Sequence, residues 1–298
     1  MRIGTLATAA ACAAVLGGCA STGAGASGAP PLRLLDAHTH LMVEILGHDE
    51  EIALLRKAGL DRVLLMHPVP EELSAIADKY PGFVIPSVNL ARPTARGVHL
   101  DRDTGPLFAR LAAERKVCGF GEIAGGNIAD VENMRGVYAA AEATGVPVNL
   151  HTDLAVPANL AAVEAALTAH PKMNFVLAHL GWTAGPELMG RLLDAHPNLH
   201  TDVSIRFDAP GSLPWRNNGL DLSILAPDET VPPAWRAVMQ RHPDRFLFAM
   251  DINSFGPRYT ITEDLVRTGR KALGSLPRPL AEAIAHGNAE RLLKGCGA

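Results

Sequence analysis

Cysteine is scarce in this chain: four among 298 residues, Cys12, Cys19, Cys118 and Cys296. The first two fall in what reads as an export signal, so only Cys118 and Cys296 belong to the folded part, too few for the disulfide framework of a small secreted scaffold. Cys118 stands in an apolar, strand-like run and is expected in the core, with a bridge to Cys296 left open. Clustered Lys and Arg are missing too, and a net charge of −4 with a pI near 6.3 is the opposite of the basic footprint a nucleic-acid surface needs. Nucleic acid is therefore excluded as an expected partner. The N-terminal apolar run, Thr5 to Val15, is too short to cross a bilayer as a helix.

What is present is an ordinary globular composition, 48% hydrophobic and 19% charged, with enough chain for one large α/β barrel or two smaller domains. At the start, Arg2 supplies a positive charge, Thr5 to Val15 form a short Ala-rich apolar core, and Leu16-Gly17-Gly18-Cys19 follows. That tetrapeptide resembles the bacterial lipobox. The resemblance implies a lipoprotein signal peptide over residues 1–18, cleavage before Cys19 and lipidation of that residue, several acyl chains giving stable anchoring. A plain secretory signal and an apolar N-terminal helix are the alternatives. The expected location is the bacterial cell envelope, and Ala20 after the cysteine points to the outer membrane, facing the periplasm. Residues 19–31 are almost wholly Ala, Gly, Ser, Thr and Pro, the composition of a flexible tether, and the expected membrane contact is the anchor alone. The folded domain is expected over residues 32–298.

Past the tether, short apolar runs alternate with longer segments of helical periodicity, the pattern of repeated β-then-α units with a parallel sheet. Strands are expected at Leu34–His40, Arg62–His67, Phe83–Asn89, Val117–Ile123, Pro147–His151, Phe175–His179, Leu199–Ser204 and Phe246–Asp251. Helical segments stand between them, with Thr262–Leu273 and Leu280–Lys294 closing the chain. Eight such units match a (β/α)8 TIM barrel in a single domain. A doubly wound open sheet is the other candidate, but no Gly-x-Gly-x-x-Gly follows the first strand to make a dinucleotide site.

The working face of such a barrel is built from strand C-termini. Strand one ends in His38 and His40, which at i and i+2 present two imidazoles from one side. Strand four ends in Glu122, strand five in His151, strand six in His179 and strand eight in Asp251. All are metal-ligand types. Mixed imidazole and carboxylate donors suit Zn2+ first, with Mn2+ and Fe2+ as alternatives, and an open position on such a metal activates water. Asp251 is the natural general base, or else only a ligand. Asp36 either holds an imidazole's tautomer or bonds backbone amides. By contrast, His170-Pro171, His196-Pro197 and His242-Pro243 stand where helices end and read as structural. His67 reads equally as pocket lining or turn.

The set Asp36-Ala37-His38-Thr39-His40, Gly121-Glu122, Leu150-His151-Thr152, Ala178-His179-Leu180-Gly181 and Met250-Asp251 resembles the amidohydrolase superfamily, in its amidohydrolase-related branch of barrel metal-dependent hydrolases. The closing His286 to Leu293 is similar to that branch's C-terminal helix. The resemblance implies one metal on His38, His40 and Asp251, a second on His151 and His179, and Glu122 as the bridging carboxylate, as in TatD-type hydrolases. Many members bridge with a strand-four lysine instead; here Lys116 opens that strand and Glu122 ends it. In single-metal members His151 joins the first site and His179 polarises the substrate. Asp251 and His179 are thus the expected catalytic residues.

Substrate identity lies in the loops. The connection from Arg206 to Thr230 is long and holds Trp215, and Arg92, Trp182 and Arg206 are candidates for binding an anionic or ring-shaped small-molecule substrate. The expected activity is hydrolysis of a small amide, ester, lactone or similar bond by a metal-activated water. A metal-dependent decarboxylase of the same superfamily and a non-catalytic binding lipoprotein are the alternatives.

Overall fold

The computed structural model describes residues 30–41, 46–89, 92–94, 97–99, 103–123, 131–212, 220–253 and 257–294. Chain contacts divide it into Met1–Pro31 and Leu32–Ala298, and the second unit carries the fold. Cys19, Trp215 and Cys296 lie outside the described residues, as do the expected signal and nearly all of the expected tether.

Eight parallel strands form one sheet: β1 (Leu35–His40), β2 (Arg62–His67), β3 (Val84–Val88), β6 (Gly119–Ile123), β7 (Val148–Leu150), β8 (Phe175–Leu177), β9 (Leu199–Asp202) and β10 (Phe246–Leu247), in that order. A small antiparallel pair, β4 (Arg92–Thr94) and β5 (Gly97–His99), stands in the loop after β3. The last barrel strand closes on the first. Ala37 N–H donates to the Phe248 carbonyl at 2.9 Å, His40 N–H to Ile252 at 2.8 Å and Asp251 N–H to His38 at 2.7 Å. Between the strands run α1 (His48–Lys57), α2 (Pro70–Lys79), α3 (Thr104–Ala113), α4 (Val131–Thr144), α5 (Pro157–Ala169), α6 (Pro186–Ala195) and α7 (Pro233–Arg241), with α8 (Thr262–Gly274) after β10. This is a (β/α)8 barrel. Among the described residues no helix is long and apolar enough to cross a membrane.

Local chemistry sets the helix ends. Pro70, Pro157, Pro186 and Pro233 occupy first positions, where a missing N–H costs nothing and the fixed φ suits the helix. His170, His196 and His242 are the capping residues at the ends of α5, α6 and α7, the positions their His-Pro pairs signal.

Two apolar layers result. One lies between strands and helices, where Phe108 of α3 packs on Phe120 of β6 with ring centroids 4.5 Å apart. The other fills the lower barrel with Leu35, Ala37, Leu64, Ile85, Val176 and Leu247. It is closed from below by α10 (Asn288–Leu292), which follows α9 (Arg278–Glu282) and a wide turn over Ala283–Gly287; Ala289 and the adjoining Leu293 join the inner cluster. Asn288 fastens this plug by donating to the carbonyls of Pro243 and Phe246 at 2.9 and 2.7 Å.

Several elements are shorter than their sequence signals. The expected closing helix Leu280–Lys294 is present as continuous helical backbone with that wide turn in its middle, while the expected strands Pro147–His151, Phe175–His179, Leu199–Ser204 and Phe246–Asp251 stop early. For the last three the physical reason is backbone conformation at or just past the expected end: His179, Leu180, Ile205 and Asp251 have φ of 55°, 54°, 63° and 49°, which no strand ladder accommodates.

Candidate metal centre

Each expected ligand is delivered by a local feature of the barrel's upper end. In β1 the register shifts between Asp36 and Thr39, the step that holds Ala37 and His38, and His38 and His40 bring their Nε2 atoms to 3.2 Å. Glu122 follows Gly121, whose φ is +129° and whose absent Cβ would lie 2.4 Å from the Asn149 carbonyl; only glycine fits. His151 comes directly after β7. His179 lies in a left-handed turn, Ala178–Gly181, that packs against Leu154: a Cβ on Gly181, at φ +71°, would meet that side chain at 2.6 Å.

The cluster has two halves joined by one carboxylate. Glu122 Oε1 lies 2.6 Å from His151 Nδ1 and 3.0 Å from His179 Nε2. Its Oε2 lies 3.7 Å from His38 Nε2 and 3.5 Å from His40 Nε2. Asp251 Oδ1 completes the second set at 3.8 and 3.4 Å from the same two nitrogens. Donor atoms of His38, His40, Glu122 and Asp251, and separately those of Glu122, His151 and His179, all lie within 4.8 Å of one another.

Asp202, a strand-end carboxylate absent from the expected ligands, sets the tautomers. His38 Nδ1 donates to Asp202 Oδ2 at 3.0 Å, leaving the Nε2 lone pair facing the cluster. His179 Nδ1 lies 2.7 Å from Ser204 Oγ, and that hydroxyl donates to Asp202 Oδ1. One buried carboxylate therefore orients an imidazole in each half, directly and through a serine. Asn149 Nδ2 also donates to it, at 3.2 Å. The signal was in the sequence: Asp202 and Ser204 stand at i and i+2 near a strand end, as His38 and His40 do.

Burial and charge compete across this group. Burial acts to lower the His38 pKa, but the charges of Glu122 and Asp202 outweigh it and raise that pKa well above the usual range. His40 is likewise raised to about 9, its bonds to Asp251 and Glu122 overcoming burial. Burial acts to raise Glu122 and Asp251, yet the surrounding imidazoles hold both below the usual carboxylate range. Ionised carboxylates kept out of water make the cluster strongly electronegative. Imidazoles there attract protons for the same reason that they would accept a cation in the protons' place. The residues fit a divalent metal ion in donor type, tautomer and field.

Other expected residues fall as follows. Asp36 accepts from the backbone N–H groups of His38 and Met250 at 3.0 and 3.1 Å, the second of its two expected roles, and burial pushes its pKa up to about 6. The Trp182 ring packs on His151 and His179 with centroids at 4.7 and 5.4 Å. Arg206 is 6% exposed, donates to the Ala184 carbonyl at 3.3 Å and stacks 5.9 Å from Trp235; its Nε and Nη1 have no partner among the described residues. It does not join the ligand cluster. Arg92 lies in β4, with its side chain outside the described residues. His67 pairs with Glu72 at 2.9 Å, apart from the cluster, and Lys116 forms an exposed pair with Glu114. Cys118 is buried, as expected, and disulfide-bonded, with a partner outside the described residues.

Solved structures with the same fold include a TatD homologue from Escherichia coli K12 (TM-score 0.62, 15% identity, covering 88% of this chain and 98% of that one). A phosphotriesterase homology protein from Escherichia coli, with phosphate in its active site, aligns with TM-score 0.56 and 14% identity over 89% of this chain and all of the other. An amidohydrolase from Mycoplasma synoviae aligns with TM-score 0.52 and 13% identity over 88% of each. No curated protein sequence matches the chain. The sequence profile of the Amidohydrolase family, however, matches residues 89–295, which take in Glu122, His151, His179 and Asp251, four of the six expected ligands, as well as the plug below them. With that match over more than half its length, the chain belongs to the amidohydrolase family: it is a metal-dependent hydrolase of the (β/α)8 barrel type.

Proposed function

We propose that the cluster is a two-ion centre, most simply Zn2+, which serves hydrolysis of a small amide, ester, lactone or similar bond. The observation that carries the two-ion reading is the division of Glu122: one oxygen faces His151 and His179, the other faces His38 and His40. Two cations a few ångströms apart repel strongly and need a shared anion between them, and a carboxylate presented in this way is such an anion. His38, His40 and Asp251 would hold one ion, and His151 and His179 the other. When bound, the metal supplies Lewis acidity and lowers the pKa of water.

The chain's own groups do the rest. Asp251 is kept ionised, so it can accept the proton of the attacking water and return it to the leaving group. Asn253 Nδ2 donates to Asp251 Oδ1 at 2.7 Å and fixes the carboxylate's rotation. Asp202 and Ser204 keep His38 and His179 in the tautomers that face inward. Trp182 makes a flat wall beside His151 and His179, and Arg206 supplies buried positive charge for an anionic substrate group. Elemental analysis of fully loaded protein decides the metal count: two ions per chain are expected, falling towards one in Glu122→Ala. A single ion in the wild type, unchanged by that substitution, rules the bridge out. An activity screen across amides, esters, lactones and similar bonds then names the substrate class.

The proposed setting is the outer membrane, facing the periplasm, with the chain held by acylated Cys19. The disulfide at Cys118 supports export, because such bonds persist in oxidising compartments. Mass spectrometry of membrane-extracted protein should find Cys19 as a lipidated N-terminus, and an unmodified N-terminus elsewhere would remove the anchor.

A further inference from the structure

Asp251 holds a left-handed backbone, φ 49°, which L-residues other than glycine rarely adopt. Something must hold it there. Arg258, in the 3₁₀ turn Pro257–Ile261, is fully buried and lies against this stretch. Its Nε donates to the Asp251 carbonyl at 2.9 Å, and its Nη2 donates to the carbonyl of Met250. The other side of the guanidinium forks onto Asp208, Nη2 to Oδ1 at 3.1 Å and Nη1 to Oδ2. Burial acts to lower the Arg258 pKa, but the charge of Asp208 outweighs it and raises it, so the cation persists inside the protein.

Asp208 is itself anchored where two legs of the loop after β9 meet. Its carbonyl accepts the Ser223 hydroxyl at 2.8 Å, and beside it Ile224 N–H donates to the Arg206 carbonyl at 2.9 Å. A guanidinium needing only a counterion would be satisfied by Asp208. This one also donates to two consecutive carbonyls, those of Met250 and of Asp251, the residue whose carboxylate faces His38 and His40.

We infer that Arg258 is a positioning residue for the metal centre: with Asp208 as counterion, it locks the Asp251 backbone in the conformation that aims its carboxylate at His38 and His40. The ligand is thereby tied to the long loop after β9. The inference rests on the reading of Asp251 as a metal ligand. The test is Co2+ titration, following affinity and the visible absorption bands that report the ligand set, in wild type, Arg258→Met, Arg258→Lys, Asp208→Asn, Asp251→Asn and the Arg258→Met/Asp251→Asn pair. Arg258→Met should weaken Co2+ binding by about 10–100-fold, the range for outer partners of metal ligands, and alter the spectrum. Lysine should recover part of the loss, and the double variant should bind no worse than Asp251→Asn alone, because the arginine acts through the aspartate. A folded Arg258→Met protein with wild-type affinity and spectrum overturns the inference, as does a double variant whose losses simply add. Should Arg258→Met fail to fold, Asp208→Asn, which keeps the acceptor shape, decides in its place: severalfold weaker Co2+ binding supports the clamp, and unchanged binding refutes it. A wild type that takes up no Co2+ refutes the metal reading and this inference with it.

Discussion

The two ends of the barrel interior are built on opposite principles. At the lower end, Leu35, Leu64, Ile85, Val176 and Leu247 project from regular strand ladders onto Ala289 and Leu293 of the plug, with no charge among them. At the upper end the ladders stop. His151 comes straight after Leu150, His179 two residues after Leu177 and Asp251 four after Leu247, two of the three in left-handed backbone. Seven imidazole and carboxylate groups crowd there in overlapping sets whose ligand atoms lie within 4.8 Å of one another. The lower end lowers the free energy of the fold by burying apolar area, roughly 1.5–3 kcal/mol for each large side chain. The upper end holds strain and like charges that raise it. Stability and chemistry are thus segregated along one axis, and each end should respond to substitution in its own currency.

The largest expected effect is at the top. Asp251→Asn should cost on the order of a thousandfold or more in turnover on an identified substrate, because a base and a ligand are lost together, while the circular dichroism spectrum and melting temperature hold or improve. Near-normal turnover would show that Asp251 is not the base. At the bottom, Leu247→Ala should behave in the reverse way: a loss of about 2–4 kcal/mol in unfolding free energy by denaturant titration, with metal stoichiometry unchanged. If it instead empties the metal centre, the two ends are not separable.

Asp202→Asn sits at the boundary. It removes the charge that fixes His38 and His179, and metal affinity by competitive chelation should fall by about 10–100-fold with little change in fold. The smallest effect concerns His200, on β9 two residues below Asp202 and beside Val176 in the ladder. Burial, and next the charge of Arg245, depress its pKa to about 4 from an ordinary 6.5. The unfolded chain therefore binds a proton that the folded chain does not between those values. Stability from this group is full above pH 6.5, falls as the pH drops towards 4, and levels off below. Asp36, raised to about 6, acts in the opposite sense in part of that range, so the comparison is between wild type and His200→Gln. The wild type should lose about 1 kcal/mol more than the variant between about pH 7 and 5.5, and parallel stability curves would show that His200 is not held neutral.

Much of this was legible in the residues. The eightfold alternation of apolar runs and helical periods carried the barrel, since periodicity records which side of each element is buried. Residue type at the C-terminal ends of separate strands carried Glu122, His151, His179 and Asp251 as candidates, and for His38 and His40 the i and i+2 spacing put both on one side whatever the rest of the fold does. The Pro starts and His-Pro ends of the helices were equally local. What periodicity could not report is where a ladder ends, because the left-handed turns at His179 and Asp251 are packed against groups from other parts of the chain, Leu154 at the first and Arg258 at the second. Nor could it pair groups across the barrel. His38 and Asp202 are 164 residues apart in sequence, and Arg258 and Asp208 are 50 apart, joined only once the sheet closes. The two-sided presentation of Glu122 is of the same kind. A carboxylate's type is written in the chain, but which imidazole each of its oxygens meets depends on four strands arriving at one point, and that was decided by barrel closure.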